Sequence, residues 1–355
     1  RWLFVIARRS TSTFKGQSKD VRVIADELGV RYIVEGSIRR AGNRVRVSAQ
    51  LVDAETGNYI WSERFDRELE DIFAVQDEVS EAISRAIAPE ISEAEVARAR
   101  RIPPENLDAW GSYMKGLALG PSGDEADYLS AIAHFDRAVD SDPTFVDALA
   151  MATLQRARYV IFFSPKNSSE LIDHGFQLIQ SALRTDPRSA LAHCARGRLY
   201  YAKGEYSRAI ASCEEAVTLE PNCAQAFVQL GAVLDGAARW HESLNAYEEV
   251  LRLSPKDPNI AAVYTGRAYC LFYLERYDEC VQSARTALES SNPRYWAALT
   301  LVAGLSVLGR DVELQDAVND LLLRKPDFRI ADVSRIRAFS SDAFLSALRS
   351  AGVPE

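Results

Sequence analysis

Beyond residue 107 the apolar positions recur every three or four residues, in segments closed by proline at Pro143, Pro187, Pro221, Pro255 and Pro326. That is the pattern of successive amphipathic helices, because proline cannot donate into the turn that precedes it. The intervals 187–221 and 221–255 are each 34 residues long. Inside them His193, Gly197, Tyr200, Tyr206, Ala209 and Ala216 are followed 34 residues later by Phe227, Gly231, Leu234, Trp240, Ser243 and Val250. A fixed period of this length predicts a helical hairpin stacked on copies of itself, with Gly197 and Gly231 where its two helices approach most closely.

Neighbouring segments carry the same marks less regularly. Gly116, Ala131, Phe135, Ala138 and Pro143 anchor a first unit, and a second, closing at Pro187, is about ten residues too long for the period. Tyr277, Cys280, Ala284 and Ala287, with Asn292 before Pro293, anchor a fifth, and Gly309, Leu314, Val318, Leu321 and Pro326 a sixth. About six hairpins are therefore expected over residues 107–328. The amphipathic string DAFLSALRSAG, within residues 329–355, predicts a terminal helix that covers the last apolar face.

The first 90 residues alternate differently. Residues 2–7 read as a buried strand, and residues 20–28 as a helix with Val21, Ile24, Ala25 and Leu28 on one face, closed by Gly29. Strands over 32–40 and 44–53 form a hairpin across Ala41, Gly42 and Asn43, and a third over 58–66 returns across DAETGN. In the middle strand Val45, Val47, Ala49 and Leu51 alternate with Arg44, Arg46, Ser48 and Gln50, so one face is apolar and one polar. A helix over 69–88, with Ile72, Val75, Val79, Ile83 and Ile87 at helical spacing, is expected to pack on the apolar face. The fold class read from these patterns is a small α+β domain at 1–90, a linker helix at 91–106, and an all-α superhelical solenoid capped by residues 329–355.

The 34-residue pattern of a large residue, glycine, an aromatic, alanine and a terminal proline resembles the tetratricopeptide repeat family. That resemblance implies a concave face lined by the first helix of each hairpin, where a protein or peptide partner docks. By the family geometry, Cys194, Arg198, Tyr201, Gln225, Val228, Asp235, Tyr269, Phe272 and Tyr273 point inward, and four of these are rigid aromatic anchors. Residues 27–83, from ELGVRYIVEGSIRRAGN to EDIFAVQDEVSEAI, resemble a TolB amino-terminal-like domain. In bacteria such a domain commonly stands between a class III adenylate cyclase or winged-helix domain and a tetratricopeptide array. The resemblance implies a non-catalytic interaction and regulatory module of a signalling protein associated with adenylate cyclase. The alternatives are the sensor region of a winged-helix regulator, or a cyclase whose catalytic domain lies upstream. The chain begins with Arg in mid-strand, and the additional strand and helix that open the family's domain are missing, so the domain reads as truncated. An unpaired sheet edge would then be open to self-association as a homo-oligomer.

Charge separates the two parts. Residues 1–65 hold 12 Lys and Arg against 7 Asp and Glu, while the remainder nets −13. An acidic array is a poor polyanion site, and no direct nucleic-acid partner is expected there. The candidate basic ribbon, Arg39, Arg40, Arg44 and Arg46, reads chiefly as a solvated sheet face. The cysteines Cys194, Cys213, Cys223, Cys270 and Cys280 are odd in number and irregularly spaced, as expected of buried thiols in a reducing compartment, and the four histidines form no metal pattern. GLALG lacks the strand and the Lys of a phosphate loop, and Glu214-Glu215 and Glu248-Glu249 read as surface charge. No catalytic residue, metal or cofactor is assigned. No stretch reaches the roughly 18 apolar residues of a membrane helix. The cytoplasm is the expected compartment, or the periplasm if a membrane span lies upstream.

Overall fold

Asp20 begins the first helix by accepting the Arg22 amide at 2.8 Å, and Gly29 ends it in the left-handed conformation at φ 64°. This is α1, Val21–Leu28. The computed structural model describes residues 11, 14, 19–68, 108–119, 124–255, 257, 259–290, 293–334 and 341–355, with scattered positions between 79 and 96. The expected strand over 2–7, the start of the expected helix over 69–88 and the stretch 97–107 lie outside the described residues. Two units are separated at Arg101, and each is described by itself.

In the first unit β1 (Tyr32–Ala41), β2 (Arg44–Asp53) and β3 (Asn58–Glu68) form an antiparallel meander in the order β1-β2-β3. Asp53 shapes the second turn by accepting the amides of Glu55 and Thr56 at 2.9 and 3.1 Å. Alternation along β2 works as expected, with Val45, Ala49 and Leu51 buried and Arg44 and Arg46 exposed. Ala49 and Phe65 on this face pack against Val79, Ala82 and Ile83, which are helical. Buried Glu95 accepts hydrogen bonds from Arg31 Nη1 at 2.6 Å and Tyr32 Oη at 2.7 Å, tying later helical residues to the start of β1. Among the described residues β1 is an edge strand, with Val34 and Ile38 exposed on it.

Among the described residues, every regular element of the second unit is a helix. Six antiparallel pairs follow one another: α2 (Ala109–Leu119) with α3 (Glu125–Ser141), α4 (Val146–Phe163) with α5 (Ser168–Thr185), and α6 (Ala190–Ala202) with α7 (Tyr206–Leu219). Next come α8 (Ala224–Gly236) with α9 (Trp240–Leu253), α10 (Ile260–Tyr273) with α11 (Tyr277–Glu289), and α12 (Tyr295–Leu308) with α13 (Asp311–Arg324). Glycine allows the close approach inside the third pair. A Cβ on Gly197 would stand 2.6 Å from Cys213 Sγ and 2.9 Å from the Ala209 carbonyl oxygen. The turn from first to second helix needs one left-handed residue, supplied by Gly204 and Gly309 but also by Ala238 (φ 57°) and Glu275 (φ 60°). Across it an arginine reaches its own helix's glutamate in the pairs Arg239–Glu242, Arg276–Glu279 and Arg310–Glu313. Between adjacent pairs, Arg156 is held bidentate by Asp136 at 2.7 Å and also donates to the Ala152 carbonyl.

The irregular second repeat places its surplus in the helices, because α4 and α5 each run 18 residues where α6 and α7 run 13 and 14. The last pair is covered by α14 (Ile330–Ser334) and α15 (Asp342–Ser350), which bury Phe328, Ile330, Val333, Phe344 and Leu348. The backbone folds back on itself there, with the Ile330 amide donating to the Pro354 carbonyl at 2.8 Å. The architecture is thus a small α+β unit and an all-α hairpin array, as the hydrophobic patterns predict. Among the described residues no helix is long and apolar enough to cross a membrane.

Candidate functional site

Stacking turns the first helix of each hairpin inward. Residues from all six, among them Tyr113, Arg158, Arg198, Asp235, Tyr269 and Trp296, line one cavity of about 430 Å³ in the second unit. On its lining Phe162, in the added last turn of α4, meets Trp296 at the start of α12, ring centroids 5.9 Å apart. The second and sixth hairpins therefore touch across the concave side.

Of the nine inward residues expected from the sequence, Arg198, Tyr201, Gln225, Val228, Asp235 and Tyr269 line this cavity. Gln225 is exposed, and Val228 is half-buried. Cys194, Phe272 and Tyr273 lie elsewhere. Cys194 is packed among Ala190, Ala216 and Ala226, and burial raises its thiol pKa well above the ordinary value. Phe272 meets Phe344 of α15 edge-on at 5.2 Å, while Tyr273 stacks on Trp240 at 4.2 Å and shares a hydrogen bond with Ser341. The C-terminal segment thus covers the far side of α10, while Tyr269 reaches both Phe344 and the cavity.

Two electrostatic features organise the cavity. Asp235 sits where α8, α9 and α10 converge and accepts hydrogen bonds from Ser243 Oγ (2.6 Å), Tyr247 Oη (2.8 Å) and Cys270 Sγ (3.0 Å). Burial lifts its pKa to about 6, against the opposing pull of those three donors and the charge of Arg198. Across the cavity, burial draws the Arg158 pKa down to about 10, and the neighbouring charges of Arg198 and Arg294 push in the same direction. Arg198 is 5% exposed, and its guanidinium carbon lies 5.2 Å from the Tyr201 ring centroid. Among the described residues, Arg198 Nε, both amide atoms of Gln155 and Nε2 of Gln229 are buried without a hydrogen-bond partner. Arg158, Gln155 and Gln229 were not singled out from the sequence. Gln155 and Arg158 lie in the hairpin that departs furthest from the 34-residue period, although polar residues inside the apolar helix VDALAMATLQRARYVIFF are a readable signal.

Residues 190–223 match the tetratricopeptide repeat family. The matched stretch covers α6, α7 and the turn into α8, which is the most regular unit of the array. Such repeats are protein-interaction scaffolds. Among curated proteins the chain is similar to "Putative adenylate cyclase 3" of Rhizobium meliloti (strain 1021), 35% identical over 193 residues that make up 54% of this chain and 32% of that protein. It is also similar to a DnaJ homolog subfamily C member 7 homolog of Schizosaccharomyces pombe, 27% identical over 45% of this chain and 34% of that protein. The chain spans about a third of the length of these relatives. Among solved structures, TTC0263, a thermophilic TPR protein of Thermus thermophilus, aligns with a TM-score of 0.44 and 17% identity, covering 56% of this chain and 98% of that one.

The basic ribbon lies in the other unit. Arg39 and Arg46 are cross-strand partners and share a face with Arg44, whereas Arg40, opposite Val45, projects to the other side. Arg46 is held by Asp66 at 2.6 and 3.2 Å, and Arg44 stands opposite Glu68. Acidic residues of β3 thus balance two of the four arginines.

Proposed function

We propose that this chain is a non-catalytic interaction and regulatory module of a bacterial signalling protein associated with adenylate cyclase. The supporting observation is the array itself, in which the first helices of six hairpins converge on one concave lining. Such a surface is preformed, so a partner binds without first ordering it. The named relative favours a cyclase parent over a winged-helix one, since its similarity covers more than half of this chain. On this reading a partner protein rests on the rim of the concave side, where Gln225 is exposed and Val228 part-exposed.

Two measurements test the reading. The purified chain, given ATP with Mg²⁺ or Mn²⁺, is expected to form cyclic AMP only at the background of a heat-killed control, and turnover above that would overturn the non-catalytic role. Capture of partners by the chain is expected to fall when Gln225→Glu and Val228→Lys are combined, with thermal stability retained. Equal recovery of partners would remove the rim from the proposal.

A further inference from the structure

The cavity has more chemistry than a protein-docking scaffold requires. A buried hydrogen-bonding atom without a partner costs about 1–3 kcal/mol, and here such atoms sit around one space on Arg198, Gln155 and Gln229. Arg158 and Arg198 line the same space, and the like charges that lower the Arg158 pKa are two further guanidinium groups, those of Arg198 and Arg294. The carboxylates on the lining, Asp235 and Asp257, are engaged otherwise: Asp235 by Ser243, Tyr247 and Cys270, and Asp257 by the Asn259 amide at 2.7 Å. The rest of the wall is largely apolar and aromatic, including Phe162, Trp296, Tyr128 and Met151. A volume of about 430 Å³ falls within the roughly 300–1,000 Å³ of small-molecule sites and is many times the about 30 Å³ of one water.

We propose that this cavity binds a small organic acid, with a carboxylate or phosphate group on Arg158 and Arg198, and an apolar, ring-sized body against Phe162 and Trp296. The amides of Gln155 and Gln229 complete the hydrogen bonding of the head group. Convergent guanidinium groups select an oxyanion, because each can donate two parallel N–H bonds to a pair of oxygens. The contact between Phe162 and Trp296 bounds one side of the space and narrows it, which favours a compact ligand over an extended chain. The site goes beyond the proposed protein-docking role, and its test is independent of which parent protein carries the array.

The full chain can be titrated with 8-anilinonaphthalene-1-sulfonate, an aromatic anion of this size, and with its uncharged analogue N-phenyl-1-naphthylamine. The anion is expected to bind at one saturable site. Arg158→Gln should weaken that binding about ten-fold or more while leaving the neutral probe unchanged, because it removes a charge and retains a polar side chain. Ala232→Trp, which fills the cavity from α8, should abolish binding of both. Circular dichroism and thermal melts establish that each variant is folded, and Arg158→Gln should melt no lower than wild type because it relieves repulsion among the arginines. Benzoate and phenyl phosphate serve as competitors, and the stronger identifies the head group. The proposal is overturned if the anion shows no saturable binding, if Arg158→Gln leaves its affinity unchanged, or if an acidic peptide displaces it while neither small acid does.

Discussion

Replacing Asp235 by Asn should make the array more stable at neutral pH and leave it nearly unchanged in mild acid. Asp235 is 8% exposed, and its carboxyl pKa rises from an ordinary 3.8 to about 6. The folded chain therefore holds the proton more tightly than the unfolded chain does. Below about pH 4 both states are protonated and there is no penalty. Between about pH 4 and 6 the unfolded state ionises while the folded state keeps its proton, so stability is lost across that interval and levels off once both states are ionised. A shift of this size corresponds to about 3 kcal/mol across that window. The groups facing the carboxyl are Ser243 and Tyr247 from α9, Cys270 from α10, and Arg198 from α6, and asparagine keeps an acceptor for the first and third. Its new N–H group can donate to the Tyr247 oxygen. Urea unfolding followed by circular dichroism at pH 4, 5, 6 and 7 measures the difference between the variant and wild type. That difference should grow in favour of Asp235→Asn by about 2–3 kcal/mol over the series. Parallel curves would refute the reasoning, because they would place the titration of Asp235 outside the folded-state balance.

Three further sites probe the scaffold. Gly197→Ala gains about 1 kcal/mol of helix propensity but drives a Cβ against Cys213 Sγ and the Ala209 backbone oxygen, so a net loss of about 1–2 kcal/mol should appear in urea unfolding. Ala238→Gly and Glu275→Gly should each raise stability by about 0.5–1 kcal/mol, since both residues hold a left-handed conformation that glycine adopts without strain, and a fall in melting temperature for both would contradict this. Asp136→Ala should cost about 2–4 kcal/mol by leaving the buried Arg156 without its carboxylate, and adding Arg156→Met should recover most of that loss in a double-mutant cycle.

The period and the strand alternation were legible because they follow from local geometry. Gly197 and Gly231 mark helix contacts, and Val45, Ala49 and Leu51 mark a face, each within a single element or repeat. What the period hides is the change of register between the fourth and fifth hairpins. The left-handed turn residues Gly204, Ala238, Glu275 and Gly309 are spaced 34, 37 and 34 apart, so counting by 34 from Asp235 lands on Tyr269, whereas the matching turn of α10 carries Phe272. Neither Ala238 nor Glu275 announces a left-handed backbone by its residue type. The aromatic run Tyr269, Phe272 and Tyr273 reads as a groove because nothing near it in sequence indicates that Phe344 and Ser341 will cover part of it. That cover comes from about 70 residues away, where only the apolar stripe of the terminal helix was visible.

The misfit of the second repeat has a structural consequence. Aligned at their starts, α4 outruns α6 by five residues, about 7–8 Å of helix at 1.5 Å per residue. Those five positions include Phe162 and Phe163, which reach Trp296 and Tyr128. An α4 of regular length would end near Arg158, lose the contact with α12, and leave a wider space between the first helices. The added turn therefore supplies the side chain that bridges the second and sixth hairpins, one turn beyond the arginine that lines the cavity. A repeat that departs from the consensus in length, and carries Gln155 and Arg158 on the cavity lining, combines the bridging contact and the charge in one helix. This coupling is what the proposed small acidic ligand would use, and on the proposed function it leaves the rim to a protein partner.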